Sequence, residues 1–252
     1  MRVTSEVRTF RLKTLIAGSV LALAVTAAPA AAAIIPLYSQ NFDAPLGAEW
    51  TGTTTLAVVP VGFAGLGFSG GMLHNSVAPP VATTLTLTGL AAHDAVDINF
   101  LLAIIDSWDG IGGSPGPDTF VVRVDGVDRF SEVFAIQSGS NSAGVPPDLG
   151  PSPCPCPSLG FNASFGDRAF NMGNVGALSF AHSASSLTIS FFTLAPGWQG
   201  ATDESWGIDN LSIDLITRED GPTTPAVPEP ATLSLVGLAL LGGASRIRRK
   251  IS

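Results

Sequence analysis

Three short acidic segments hold the residues best suited to chemistry. One is Asp106-Ser-Trp-Asp109-Gly, the second is Gly-Pro-Asp118-Thr-Phe, and the third is Asp203-Glu204-Ser-Trp206-Gly-Ile-Asp209-Asn210. Clustered carboxylates repel one another unless something neutralises them. Oxygen donors on Gly- and Pro-rich turns suit Ca2+, which draws its ligands from carboxylates and backbone carbonyls. The expected ligands are Asp106, Asp109, Glu204 and Asp209, with Asp118 in reserve. The competing expectation is a set of ordinary solvated loop acids, since no D-x-[DN]-x-[DN]-G loop is present. Trp108 and Trp206 stand beside these acids, and each either stacks on a sugar or packs in the core.

Paired acids can also do general acid–base work. Asp106/Asp109 and Asp203/Glu204 define the alternative function, a secreted carbohydrate-active hydrolase. The chain contains six glutamates, none in an E-x-D-x-E strand. His74, His93 and His182 are scattered, without an H-E-x-x-H or G-x-S-x-G context, and there is no phosphate loop. The expectation is therefore no enzyme. The two cysteines, Cys154 and Cys156, lie in PSPCPCPS. One residue apart and flanked by prolines, they would close a strained ring, so the expectation is a labile pair or free thiols on an exposed loop. Two thiols without a nearby histidine do not make a zinc site.

Strands must position these segments, because helical periodicity is nearly absent and short β-rich runs are divided by Gly, Pro, Asn and Asp. Expected strands are 37–42, one within 50–61, 72–76, 82–90, 97–105, 119–125, 127–137, 177–181, 187–194 and 205–216. The 97–105 run is apolar on both faces and should be central and covered. In 119–125, Phe120, Val122 and Val124 should point inward, with Val121 and Arg123 outward. Asp125-Gly126 is a two-residue hairpin turn. The last strand slips by one residue between Ile208 and Leu211, which predicts a bulge near Asp209-Asn210. Segments 62–71 and 138–160 read as loops. The fold class is all-β, an antiparallel two-sheet sandwich.

The two ends carry most of the positive charge. Arg2, Arg8, Arg11 and Lys13 precede an apolar run from Leu15 to Ala33 that closes in Ala31-Ala32-Ala33. This is a secretory signal helix with cleavage near Ala33, Ala30 and Ala32 being alternatives, and it implies the Sec translocon and signal peptidase as partners. Between the ends, residues 34–226 hold four arginines, no lysine and eighteen acidic residues. A body this acidic repels nucleic acid and anionic lipid, and suits divalent cations, neutral sugars or basic partners.

The C-terminal stretch VPEPATLSLVGLALLGGASRIRRK joins a Pro-Glu-Pro triplet, an apolar run from Ala231 to Ala244, and a basic cluster. Arg246, Arg248, Arg249 and Lys250 are the membrane-stop residues. Fourteen residues span about 21 Å, short of a hydrocarbon core of about 30 Å. This stretch resembles the PEP-CTERM sorting signal of bacteria that make exopolysaccharide. The resemblance implies that a membrane-bound exosortase recognises Val227, Pro228, Glu229, Pro230, Ala231 and Thr232, cuts nearby, and releases or transfers the body. An uncut anchor is the alternative.

The segments DSWDG…GPDTFVVRVDG and ESWGIDNLSI resemble the lectin-like bodies that often accompany that signal, in the style of laminin-G, MAM and concanavalin-type domains. Over Leu37 to Leu215 the resemblance implies a jelly roll whose last strand pairs near the first. The expected organisation is a signal peptide over 1–33, a β-sandwich over 34–216, a linker over 217–226, and a sorting and anchor segment with a short transmembrane helix over 227–250. The expected role is binding or structural, in an envelope, exopolysaccharide or biofilm matrix, with a transient membrane anchor and a Ca2+-stabilised body.

Overall fold

The structure, a computed structural model, describes residues 32–53, 55–150, 155–194 and 197–218. The signal helix, the linker beyond Arg218 and the anchor segment lie outside the described residues. Among the described residues, no helix is long and apolar enough to cross a membrane.

Among the described residues, thirteen strands form two antiparallel sheets. They are β1 (Ala32–Gln40), β2 (Trp50–Thr51), β3 (Thr55–Val58), β4 (Gly71–Asn75), β5 (Thr83–Thr88), β6 (Ala95–Asp106), β7 (Thr119–Val124), β8 (Val127–Val133), β9 (Asp148–Gly150), β10 (Asp167–Asn171), β11 (Ser179–Ala181), β12 (Ser186–Thr193) and β13 (Glu204–Arg218). One sheet has eight strands: the path β3-β4-β13-β6-β10-β9, with β1 on β13 and β11 on β6. The other has five, in the order β2-β5-β12-β7-β8.

The long strands β6 and β13 pair along nearly their whole length and form the spine of the larger sheet. The register runs from Ile216 opposite Ala95 to Glu204 opposite Asp106. That pairing brings the third acidic segment, which opens β13, alongside the end of β6. The expected bulge is present: the register shifts between Asp209 and Ser212, and Asn210 has φ 52°. The last strand also pairs with the first, β1 covering the far half of β13. A signal-peptide cut after Ala33 would trim only the first two residues of β1.

Alternation along the strands builds the core. Leu102, Ile104, Trp206, Ile208, Ile213 and Leu215 of the spine pack with Phe120, Val122, Leu187, Ile189 and Phe191 of the smaller sheet. Phe120 and Trp206 meet edge-to-face at 5.3 Å between ring centroids, a geometry that contributes about 0.5–1.5 kcal/mol beyond area burial. The opposite side of the spine is also covered. Ala103, Ile105 and Met72 there pack against Phe63 and Phe68, from the segment expected to be a plain loop. That segment instead opens with a short helix, α1 (Val61–Ala64), because two phenylalanines need a dry surface and the glycines around them supply the bends.

Other departures have local causes. Val121 is buried rather than open to solvent, although Arg123, two residues on along the same face, stays 42% exposed. The expected strand within 50–61 is two strands, β2 and β3, one in each sheet, so the chain crosses between layers there. Short β9 and β10 were missed because Gly, Ser and Pro around them mask any alternation. Asp125 and Gly126, at φ 48° and 82°, make the expected hairpin between β7 and β8. Cys156 is disulfide-bonded, so of the two expected states, a labile pair or free thiols, the free thiol is corrected; Cys154 lies outside the described residues.

Candidate functional site

The structure brings Asp109, Asp118 and Glu204 together. Each offers a carboxylate oxygen, and these atoms lie within 4.8 Å of one another. The placement follows from strand parity. Glu204 is two residues before Trp206 on β13, so it points into the gap between the sheets. Asp118 is two residues before Phe120 on β7, so it points into the same gap from the opposite sheet. The acids therefore form the layer next to the Phe120–Trp206 contact. Asp109 arrives from the loop that leaves β6 and is tied back to the β7 start, its carbonyl accepting from Asp118 N at 2.8 Å.

Each carboxylate is held on one side. Asp118 Oδ2 accepts from Asp109 N at 2.5 Å, and Glu204 Oε2 accepts from Gln199 N at 2.6 Å. Asp109 Oδ1 accepts a short bond from the Ser138 hydroxyl. Asp118 Oδ1 and Glu204 Oε1 are buried and have no hydrogen-bond partner. Close approach of backbone shapes the surroundings: a Cβ added at Gly197 would lie 3.1 Å from Asp118 Oδ1, and one at Gly116 would lie 2.9 Å from Asp109 Cβ. Burial raises the Asp118 and Glu204 carboxyls above the ordinary carboxylate range. Asp118 raises Glu204 further through its charge and a side-chain hydrogen bond, whereas that hydrogen bond lowers Asp118, which the charges of Asp109 and Asp203 push up. Two carboxyl groups can hydrogen-bond only when one is protonated. Otherwise a cation must neutralise them.

The remaining expected ligands do not join this group. Asp106 sits opposite Glu204 in register, but its φ of 70° takes it out of the strand alternation. Its Oδ1 accepts from Asn162 N at 3.2 Å, and its backbone N–H donates to Asp167 Oδ1 at 3.0 Å. Burial first, and then Asp167, push the Asp106 carboxyl up to about 7. Asp209 lies five positions from Glu204, an odd spacing that sends it to the other face of β13. There it accepts from Ser69 N at 2.9 Å and from Asn210 N at 2.6 Å. The four-residue set thus gives way to Asp109 and Glu204 with the reserve Asp118. The parity of Asp118 with Phe120 was the signal that could have promoted it.

Trp108 and Trp206 are corrected as sugar platforms. They are 0% and 1% exposed, so neither ring face is open to a ligand. Trp108 Nε1 donates to Ser205 O at 2.8 Å, and the ring packs edge-on against Phe134 and Trp198. Asp118 and Glu204 are likewise enclosed, both 0% exposed, whereas Asp106 lines an open cavity with His74, Phe161 and Asn162.

An open cavity of about 910 Å³ lies on the other side of the Ser138 loop. Gln137, Asn141, Ser158, Ser164, Phe165 and Arg168 line it. Asp109 steadies this wall, since Ser138 bonds to its carboxylate and Gly110 N donates to Ser138 O at 2.8 Å.

No curated protein matches the chain. Among solved structures it is similar to a family GH115 4-O-methyl-α-glucuronidase with specificity for decorated arabinogalactans, at 14% identity and a TM-score of 0.33, over 71% of this chain and 17% of that one. It is also similar to latent PorU of Porphyromonas gingivalis, at 9% identity and a TM-score of 0.35, over 68% of this chain and 13% of that one. The chain therefore spans less than a fifth of either structure, and likeness at this level carries no activity across. The match that bears on the chain's fate lies outside the described fold: residues 226–250 fit the PEP-CTERM protein-sorting motif, which marks the chain as a cargo for export and transient membrane anchoring.

Proposed function

We propose that this chain is an exported envelope or extracellular-matrix protein, processed by an exosortase, whose β-sandwich binds or builds rather than catalyses. The sorting motif at 226–250 is the observation that carries this reading. A Pro-Glu-Pro break before a barely bilayer-long apolar run serves a cut anchor better than a permanent one. The N-terminal basic and apolar run supplies the route through the Sec translocon and signal peptidase.

The body is read as a jelly roll, in keeping with the pairing of β13 with β1. The enclosure of Asp118 and Glu204 supports a non-catalytic role for that pair. Association with exopolysaccharide in a biofilm-type matrix finds support in the cavity beside the Ser138 loop. Its amides, hydroxyls and one aromatic ring suit neutral sugar hydroxyls, and the body's negative charge disfavours nucleic acid.

Mass spectrometry of the mature protein from its native host tests the reading. The expected product begins close to Ala33 and ends near Pro228–Pro230. A product that retains the residues beyond Pro230, or that stays in the cytosol, overturns it.

A further inference from the structure

Asp109 and Asp118 lie near the two ends of the loop that joins β6 to β7, and Glu204 opens β13. They converge between the two sheets with two carboxylate oxygens left over. Asp118 and Glu204 are 0% exposed, and Asp118 Oδ1 and Glu204 Oε1 are unpartnered. A buried polar atom without a partner carries its full desolvation cost, and an ionised one more. Such a group persists where something outside the chain completes it. The other oxygens of the trio are already held by Asp109 N, Gln199 N and the Ser138 hydroxyl. The free ones are thereby aimed into a common space.

From this geometry we infer a Ca2+ site held by Asp109, Asp118 and Glu204, which clamps the two sheets together at this end of the sandwich. The donors are all oxygen, with no histidine or cysteine among them, which selects a hard cation. Ca2+ suits the site better than Mg2+, because Mg2+ gives up its water shell reluctantly and a buried pocket has little room for one. Three carboxylates supply the charge, and water or peptide carbonyls of the bordering turns complete the coordination. Through Ser138 the clamp extends to the wall of the neighbouring cavity, so the cation orders that wall as well. The site is independent of the sorting motif: it stands or falls with the body alone.

The test is a thermal melt of the full-length protein in chelator, in about 10 mM Ca2+ and in about 10 mM Mg2+, concentrations that saturate weak extracellular sites. Ca2+ should raise the midpoint by roughly 5–10 °C, and Mg2+ by less than half as much. Asp118→Asn and Glu204→Gln should abolish the Ca2+ shift, while Asp106→Asn, in the separate acidic group, should keep it. Tb3+ luminescence excited through tryptophan on the wild-type protein is the second measurement, needed if the variants do not fold. A signal that Ca2+ displaces supports the site. A wild-type midpoint indifferent to Ca2+ with no displaceable Tb3+ signal overturns it and leaves a proton-sharing carboxyl pair. A Ca2+ shift that survives in both variants also overturns it, because the cation then binds elsewhere.

Discussion

Two groups of acids sit side by side at the end of the β6–β13 spine, and they solve the same electrostatic problem differently. In the group of buried Asp106 and Asp167 and half-buried Asp203, backbone donors hold the first two and a hydroxyl holds the third. Asp167 accepts from Asp106 N at 3.0 Å and from Leu159 N at 2.5 Å, Asp106 accepts from Asn162 N, and Asp203 accepts from the Ser107 hydroxyl at 2.6 Å. In the group of Asp109, Asp118 and Glu204, donors reach one side of each carboxylate and two oxygens stay unpartnered. Carboxylates met by peptide N–H groups pin loops. Carboxylates left partly bare between two sheets call for a cation or a shared proton.

The comparison can be broken most sharply at Asp167. Asp167→Ala strands the N–H groups of Asp106 and Leu159, and should cost about 3 kcal/mol in urea denaturation, the same with Ca2+ or chelator present. A cost that depends on Ca2+ would merge the two groups into one. Asp106→Asn works the other way. Its carboxyl is raised to about 7 from 3.8, so the folded state holds a proton that the unfolded state releases between those values, and stability falls as pH rises through that window. The amide removes the penalty, keeps an acceptor for Asn162 N and tolerates the positive φ. It should stabilise by about 1–2 kcal/mol near pH 8, allowing for screening of a partly wet group, and by nothing near pH 4. Denaturation at both pH values checks this.

Smaller effects sharpen the contrast. In chelator, Glu204→Gln should be within about 1 kcal/mol of wild type, or more stable, because it removes one of two buried like charges. A large loss in chelator would mean that the charge is already satisfied within the chain. Asp209→Asn should cost the least, about 0.5–1 kcal/mol, since an amide oxygen can still accept from Ser69 N. Its Ca2+ response in a melt should equal that of the wild type.

Much of this was readable in the chain and some was not, for reasons specific to each residue. Leu85, Leu187 and Ile189 alternate with polar neighbours, and their burial follows from the period of a strand alone. The bulge at Asn210 showed as a slip in that period. The burial of Val121 and the packing of Phe63 and Phe68 were not visible, because a two-residue period says nothing about what a second layer will cover. The candidate ligands were half legible. Spacing placed Asp118 and Glu204 on inward positions of their strands, and placed Asp209 outward, had the parity been followed. Asp106 defeats that rule, since a single left-handed residue turns its side chain out of the alternation.

The sorting motif at 226–250 was legible from chain order alone: a proline-broken, arginine-capped end is a linear feature, read without a fold. Local alternation likewise settled that the body is made of strands. Which acids meet was a different matter. Asp118 and Glu204 are 86 positions apart by their numbering, and they become neighbours only when two sheets close on Phe120 and Trp206. That closure is driven by apolar side chains, and the carboxylates are carried along at its edge.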